Sequence, residues 1–189
     1  MRPSRSFEAE AIRDTLDAFV NRGIARRIGD EASTPFCHTR NTLVRAIVYK
    51  FCAHWAPAGR VLYVGDTDSK FAYFDKTGLG KLGVHLEEHG KMPDVIIHYT
   101  KKNWLLLIEA VTSHGPVNPK RHQELKRLFA KSKAGLVYVT AFLTRKEMVV
   151  HLGQISWETE VWVAESPTHM IHFNGERFLG PYPDKPSIR

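Results

Sequence analysis

Residues 92–116 read MPDVIIHYTKKNWLLLIEAVTSHGP, and the fold turns on how this stretch pairs with itself. Asp94 opens one apolar run, Val95 to Ile97, and Glu109 closes the next, Leu105 to Ile108. Between the runs, Thr100, Lys101, Lys102 and Asn103 form a polar, turn-forming cluster, so the segment reads as a β-hairpin with strands over 94–99 and 104–111. A two-residue or a four-residue loop sets the same register, in which Tyr99 faces Trp104 and Asp94 faces Glu109. Opposed residues in an antiparallel ladder have Cα atoms about 4.5 to 5.5 Å apart, with side chains on one face. Two carboxylates so placed repel unless a cation lies between them. The near-continuous apolar runs also imply that both strands are central and covered on both sides.

Working outward, Asn118 and Pro119 are a helix start signal, an N-cap type followed by proline at the first helical position. The helix is predicted to run to about Ser132, with Leu125, Leu128 and Phe129 facing inward. Gly135 then precedes an apolar strand over 136–142. Strand, helix and strand in this order make a crossover whose flanking strands are parallel and whose expected hand is right-handed. Ahead of the hairpin, 61–64 and 71–74 read as strands around a turn-rich link, and 78–90 as a glycine-rich loop or short helix. Beyond the crossover, 155–164 and 170–179 read as further β structure, with Asn174-Gly175 as a hairpin turn signal. Trp157 and Trp162 are expected to pack internally rather than stack on bases.

Upstream, apolar residues recur at helical spacing over 7–27 and again over 41–55. The second of these helices carries Leu43, Ala46, Ile47, Phe51 and Trp55 on its apolar stripe and Arg40, Arg45 and Lys50 on its polar side. Residues 181–189 read as a loose tail. The fold class is therefore α/β, a mixed central β-sheet flanked by helices. A short helical region over 1–59 and an α/β unit over 60–189 are expected to form one compact body.

At 189 residues, 43% hydrophobic and 25% charged, the chain suits one globular domain able to bury a sizeable core. A formal charge of +7 favours a polyanionic partner. Cys37 and Cys52 show no CxxC spacing, and no signal peptide follows Met1, so reduced thiols in a cytoplasmic protein are the reading. No apolar run is long enough for a spanning helix.

Hard divalent ions such as Mg²⁺ prefer one or two carboxylates together with waters and phosphate oxygens, the inventory of a phosphodiester-cleaving site. Asp66, in Gly65-Asp66-Thr67-Asp68, reads either as a third acidic group near such an ion or as ordinary turn chemistry. A rival motif is His85-Leu86-Glu87-Glu88-His89, which matches the H-x-x-E-H zinc-hydrolase pattern. Gly83 and Gly90 bracket it too tightly for a helix of more than about two turns, which argues against that chemistry. His169 and His172 make a poor metal pair and read as structural.

Pro93-Asp94, followed after fourteen residues by Glu109, resembles the first elements of the PD-(D/E)XK nuclease signature. Further blocks resemble the catalytic region of BsuBI/PstI-type restriction endonucleases: Tyr63 to Asp66, Glu109 to Pro116, Pro119-Lys120-Arg121 with Glu124-Leu125, Val139 to Phe142, Trp157 to Trp162, and His169 to Gly175. The likeness covers roughly residues 60 to 181. Members of the family usually carry a longer helical amino-terminal region that contributes to DNA recognition, whereas about sixty residues precede the similar part here.

The resemblance implies a Mg²⁺-dependent, type II-like endonuclease acting on double-stranded DNA as a homodimer. Asp94 and Glu109 would ligate the metal, with the carbonyl of Ala110 completing its shell. The superfamily's lysine, two residues after the glutamate, is absent, and Val111 stands in its place. The cation is therefore sought nearby. Lys120 can orient water or contact phosphate, Arg121 suits phosphate clamping, and His114 either assists catalysis or shapes the 112–116 loop. Glu124 is placed to form a helical ion pair with Lys120. Two alternatives compete: a DNA-binding module whose nuclease centre has decayed, supported by Val111, and an exonuclease or repair nuclease of the same superfamily.

Overall fold

The computed structural model describes residues 35–65, 73–85, 91–112 and 115–173, with backbone alone for 35–40. The helix expected over 7–27, Asp66, His114, His89, the Asn174-Gly175 turn and the tail over 181–189 lie outside the described residues. Helix α1 (Pro35–Ala46) passes through a π-helical stretch (Ile47–Phe51) into the single turn α2 (Cys52–Trp55). Strands β1 (Arg60–Val64) and β2 (Tyr73–Phe74) and the short α3 (Lys76–Lys81) precede β3 (Val95–Tyr99) and β4 (Trp104–Ala110). Then come α4 (Pro119–Leu128), β5 (Gly135–Phe142), α5 (Arg145–His151), a 3-10 turn (Leu152–Gln154), β6 (Thr159–Val163) and β7 (Met170–Phe173).

The strands form one mixed sheet in the order β2-β1-β3-β4-β5-β6-β7. Its central hairpin has the expected register, with Tyr99 opposite Trp104 and Val95 opposite Ile108. Asn103 takes the left-handed conformation that closes the four-residue turn (φ 52°), a conformation that asparagine tolerates better than most residues. Its amide donates to the Lys133 carbonyl at 3.1 Å, tying the turn to the segment that enters β5. Strand β5 lies parallel to β4, as the crossover requires, and pairs Glu109 with Thr140.

Each face of the sheet has its own core. Alternate residues Val95, Ile97, Leu106 and Ile108 pack under Leu43, Ile47 and Phe51 of the first helix. The intervening residues Ile96, Leu105 and Leu107 pack under Leu125 and Phe129 of α4 and Leu79 of α3. By the period of two, Asp94 and Glu109 belong to this second, α4-covered face. A bulge in β1 shifts its pairing with β3 between Val61 and Tyr63. Consecutive Leu62 and Tyr63 consequently both enter the α4-side core. The shifted register brings Gly65 alongside Asp94, whose carbonyl accepts the Gly65 N–H at 2.8 Å.

Three expectations need correction. Helix α4 ends at Leu128 rather than near Ser132, because the Ser132 hydroxyl bonds locally to the N–H and carbonyl of Ala134 and stabilises a turn there. Trp162 is fully buried, but Trp157 is 67% exposed. Strand β6 begins only at Thr159, and Trp157 precedes Glu158, which has a left-handed φ of 61°. The stretch 143–154, to which the pattern assigns no element, contains α5, started by a capping box in which Thr144 and Glu147 exchange bonds.

Candidate metal-binding active site

The hairpin's open end brings Asp94 and Glu109 together on the α4 face. Asp94 sits one residue before β3, and its Oδ2 accepts the backbone N–H of Ala110 at 2.8 Å. An extended residue points its N–H and C=O toward the same neighbouring strand, so the Ala110 carbonyl faces the Asp94 side as well. The donor set is all oxygen, two carboxylates and a peptide carbonyl. It suits a hard divalent cation better than zinc, which prefers nitrogen and sulfur.

Arg121 closes the site from α4. Its Nε donates to Glu109 Oε1 at 2.8 Å, and its Nη2 lies 2.7 Å from the same oxygen. Nη1 and Nη2 donate to the carbonyls of Lys91 and Met92 at 3.1 and 3.0 Å, and Nη1 also reaches Glu124 at 3.5 Å. The expected phosphate clamp is thus engaged with protein groups, and Glu124 meets Arg121 rather than standing only as a partner for Lys120. Lys120, at the start of the helix, is exposed. A depression of about 490 Å³ opens beside the site, lined by Lys91, Arg121, Glu124, Arg127 and Leu128.

A buried network fixes the first turn of α4. Asn118 caps it by accepting the Arg121 N–H at 2.8 Å, and Thr140 Oγ1 on β5 accepts the Val117 N–H at 3.1 Å. His122 is buried, with its Nδ1 3.3 Å from Ser156 Oγ and its ring edge-on to Tyr138. Burial lowers the His122 pKa, Glu158 raises it and Lys126 lowers it further, the net direction being down. The sequence reading misses both His122 and the Arg121–Glu109 pairing. One signal points to the pairing: the first turn of α4 holds cations and no acidic residue. The helix dipole disfavours cations at that end, so an acidic partner outside the helix is implied.

The position two residues beyond Glu109 is closed to charge. Val111 is 4% exposed and packs with Phe142, Met148, Ile155, Val161 and Val163. Of the rival motif, His85 is exposed and His89 lies outside the described residues. Among the described residues, no cluster of three or more His, Cys, Asp or Glu side chains could hold a metal. His172 bonds to Glu160 through Nδ1, and His169 bonds to Thr168, so each histidine has its own partner. Burial pushes the Cys52 thiol up to about 12, which suits an inert free cysteine.

The BsuBI/PstI restriction endonuclease domain model matches residues 34–176. The chain belongs to this family. It is 58% identical over 149 residues to the type II restriction enzyme BsuBI of Bacillus subtilis, covering 79% of this chain and 46% of that protein. It is 31% identical over 147 residues to the type II restriction enzyme AplI of Arthrospira platensis, covering 74% of this chain and 45% of AplI. The solved structure of SdaI restriction endonuclease superposes with a TM-score of 0.70 at 46% identity, over 76% of this chain and 45% of that one. The chain thus spans a little under half the length of these relatives. Its mixed sheet with flanking helices is a restriction-endonuclease fold of the PD-(D/E)XK type.

Proposed function

We propose that the protein is a Mg²⁺-dependent endonuclease that hydrolyses phosphodiester bonds in double-stranded DNA in the manner of a type II restriction enzyme. The observation carrying this reading is the placement of Asp94 and Glu109 on one sheet face at the open end of the hairpin, beside a cation-lined depression. Asp94, Glu109 and the Ala110 carbonyl would hold the metal, with Asp66 as a further candidate ligand. When bound, a divalent ion supplies charge neutralisation at the scissile phosphate and a more acidic attacking water.

The residues of the chain have separate tasks. Asp94 is oriented by the Ala110 N–H and Glu109 by Arg121. Lys120, exposed where the helix begins, is the cation proposed to reach the scissile phosphate or orient water in place of the missing motif lysine. His114 is a second candidate for that role, and Arg121 would add to the positive field felt by the DNA. Cutting both strands symmetrically favours a homodimer, and a cytoplasmic location follows from a DNA substrate. Among the described residues, no helix is long and apolar enough to cross a membrane.

The apolar enclosure of Val111 favours a second reading, a DNA binder with a decayed centre. Incubating the purified protein with a mixed-sequence plasmid and Mg²⁺, then sequencing any ends, tests both. Discrete fragments with a constant end sequence support a restriction enzyme, and smears indicate nonspecific or end-dependent degradation. Retarded but intact DNA at all Mg²⁺ concentrations overturns the nuclease reading in favour of the binder.

A further inference from the structure

We infer that Arg121 is the positioning residue of the acidic pair, holding the chain that leads into Asp94 at a set distance from Glu109. The inference rests on the reading of Asp94 and Glu109 as a cation site. One planar group bonds Glu109 on β4 through Nε and Nη2, and the carbonyls of Lys91 and Met92 through Nη1 and Nη2. Lys91 and Met92 directly precede Pro93 and Asp94, so both acidic residues are referenced to the same guanidinium.

The position of that guanidinium is itself determined. The Arg121 N–H is bonded to the N-cap Asn118, and the next residue, His122, is buried against Tyr138 and Ser156. The Arg121 side chain is only 16% exposed and that of Glu109 12%, which suits a fixed strut better than a mobile phosphate clamp. Placing a cation in the first turn of α4 opposes the helix dipole, so helix stability is not the reason for it. Only a rigid, multiply donating fork serves here, because an ammonium cannot reach a carboxylate and two carbonyls in these directions together. The arrangement also gives Glu109 a counter-charge, while the two carbonyls retain the guanidinium if a metal ion draws on the carboxylate.

The test compares Arg121→Lys, Arg121→Gln and Asp94→Asn with the wild type. Mn²⁺ binding without DNA is measured by electron paramagnetic resonance, together with hydrogen exchange at the Ala110 amide, which is bonded to Asp94. Arg121→Lys keeps the charge but loses the fork, so Mn²⁺ affinity should fall about 10-fold or more, as for lost partners of metal ligands generally, and Ala110 should exchange faster. Wild-type Mn²⁺ affinity and wild-type Ala110 protection in folded Arg121→Lys would overturn the inference. Should both Arg121 variants fail to fold, the wild type decides: slowly exchanging Arg121 Nη–H resonances, those bonded to the Lys91 and Met92 carbonyls, that persist on adding Mg²⁺ support the strut, and their absence overturns it. Asp94→Asn separates the two readings. If Asp94→Asn binds Mn²⁺ like the wild type, the cation-site reading itself fails; if it loses Mn²⁺ while Arg121→Lys retains it, only the positioning role fails.

Discussion

Glu109, in β4, and Val111, one residue past the end of that strand, lie two residues apart, yet their surroundings are opposite. Glu109 meets Arg121 at the edge of a polar depression, whereas Val111 is sealed among Phe142, Met148, Ile155, Val161 and Val163. Spacing along the chain therefore did not settle polarity. What changed between the two positions is the covering element: α4 begins with cations over Glu109, while α5 and β6 bring apolar side chains over Val111. The positive charge beside Glu109 comes from the helix, through Arg121.

Neutralising the acidic pair should erase the contrast between the two positions most completely. Asp94→Asn or Glu109→Gln should lower Mg²⁺-dependent plasmid cleavage by about a thousandfold or more while the fold persists, since a lost metal ligand forfeits several kcal/mol of transition-state stabilisation. Single-turnover cleavage near the wild-type rate would mean that the acidic end of β4 is not the reactive one.

Val111→Lys tests the apolar end. Restoring the superfamily lysine here inserts an unpaired charge into a closed cluster, and we expect a loss of more than about 3 kcal/mol in urea unfolding rather than a gain of activity. Val111→Ile, which only adds a methylene to the closed cluster, should cost about 1 to 3 kcal/mol, less than the lysine. Unchanged stability with a lysine at this position would show that the cluster opens readily.

A cation borrowed from the helix makes Lys120 a further point of attack. Lys120→Ala should slow single-turnover cleavage by about a hundredfold, the scale of one positioned electrostatic or proton-transfer group, with a much smaller effect on DNA affinity. Retention of the full rate would move the role to His114.

The smallest effect concerns the anchor beneath the helix. The pKa of His122 is lowered in the folded protein, chiefly by burial. The unfolded chain therefore binds a proton near pH 6.5 that the folded protein takes up only at lower pH, so stability should fall as pH drops through that window and be complete above it. Urea midpoints from pH 5 to 8 should show this slope, and it should flatten in His122→Phe. An identical slope in the variant would assign the dependence to other groups.

Much of this molecule is legible in its local patterns. The two apolar runs divided by Thr100 to Asn103 determine a hairpin and its register, because a two-residue or a four-residue loop sets the same pairing of Tyr99 with Trp104. Asn118-Pro119 determines where α4 starts, and the order of strand, helix and strand determines that β4 and β5 are parallel. The facing of Asp94 and Glu109 follows from the same local rules, so the acidic pair can be recognised from residue spacing alone. The capping box at Thr144 is equally legible as a local signal, although no apolar stripe draws attention to it.

Tertiary structure alone decided what surrounds those elements. The bulge in β1, the pairing of Arg121 with Glu109, the burial of His122 against Ser156 and the sealing of Val111 all join residues distant in sequence, by 12 positions for Arg121 and Glu109 and by 34 for His122 and Ser156. Such contacts depend on which side chains two separately formed elements present when they pack. Hydrogen-bond geometry and the exclusion of water set that outcome, and neither is written in the periodicity of a single segment.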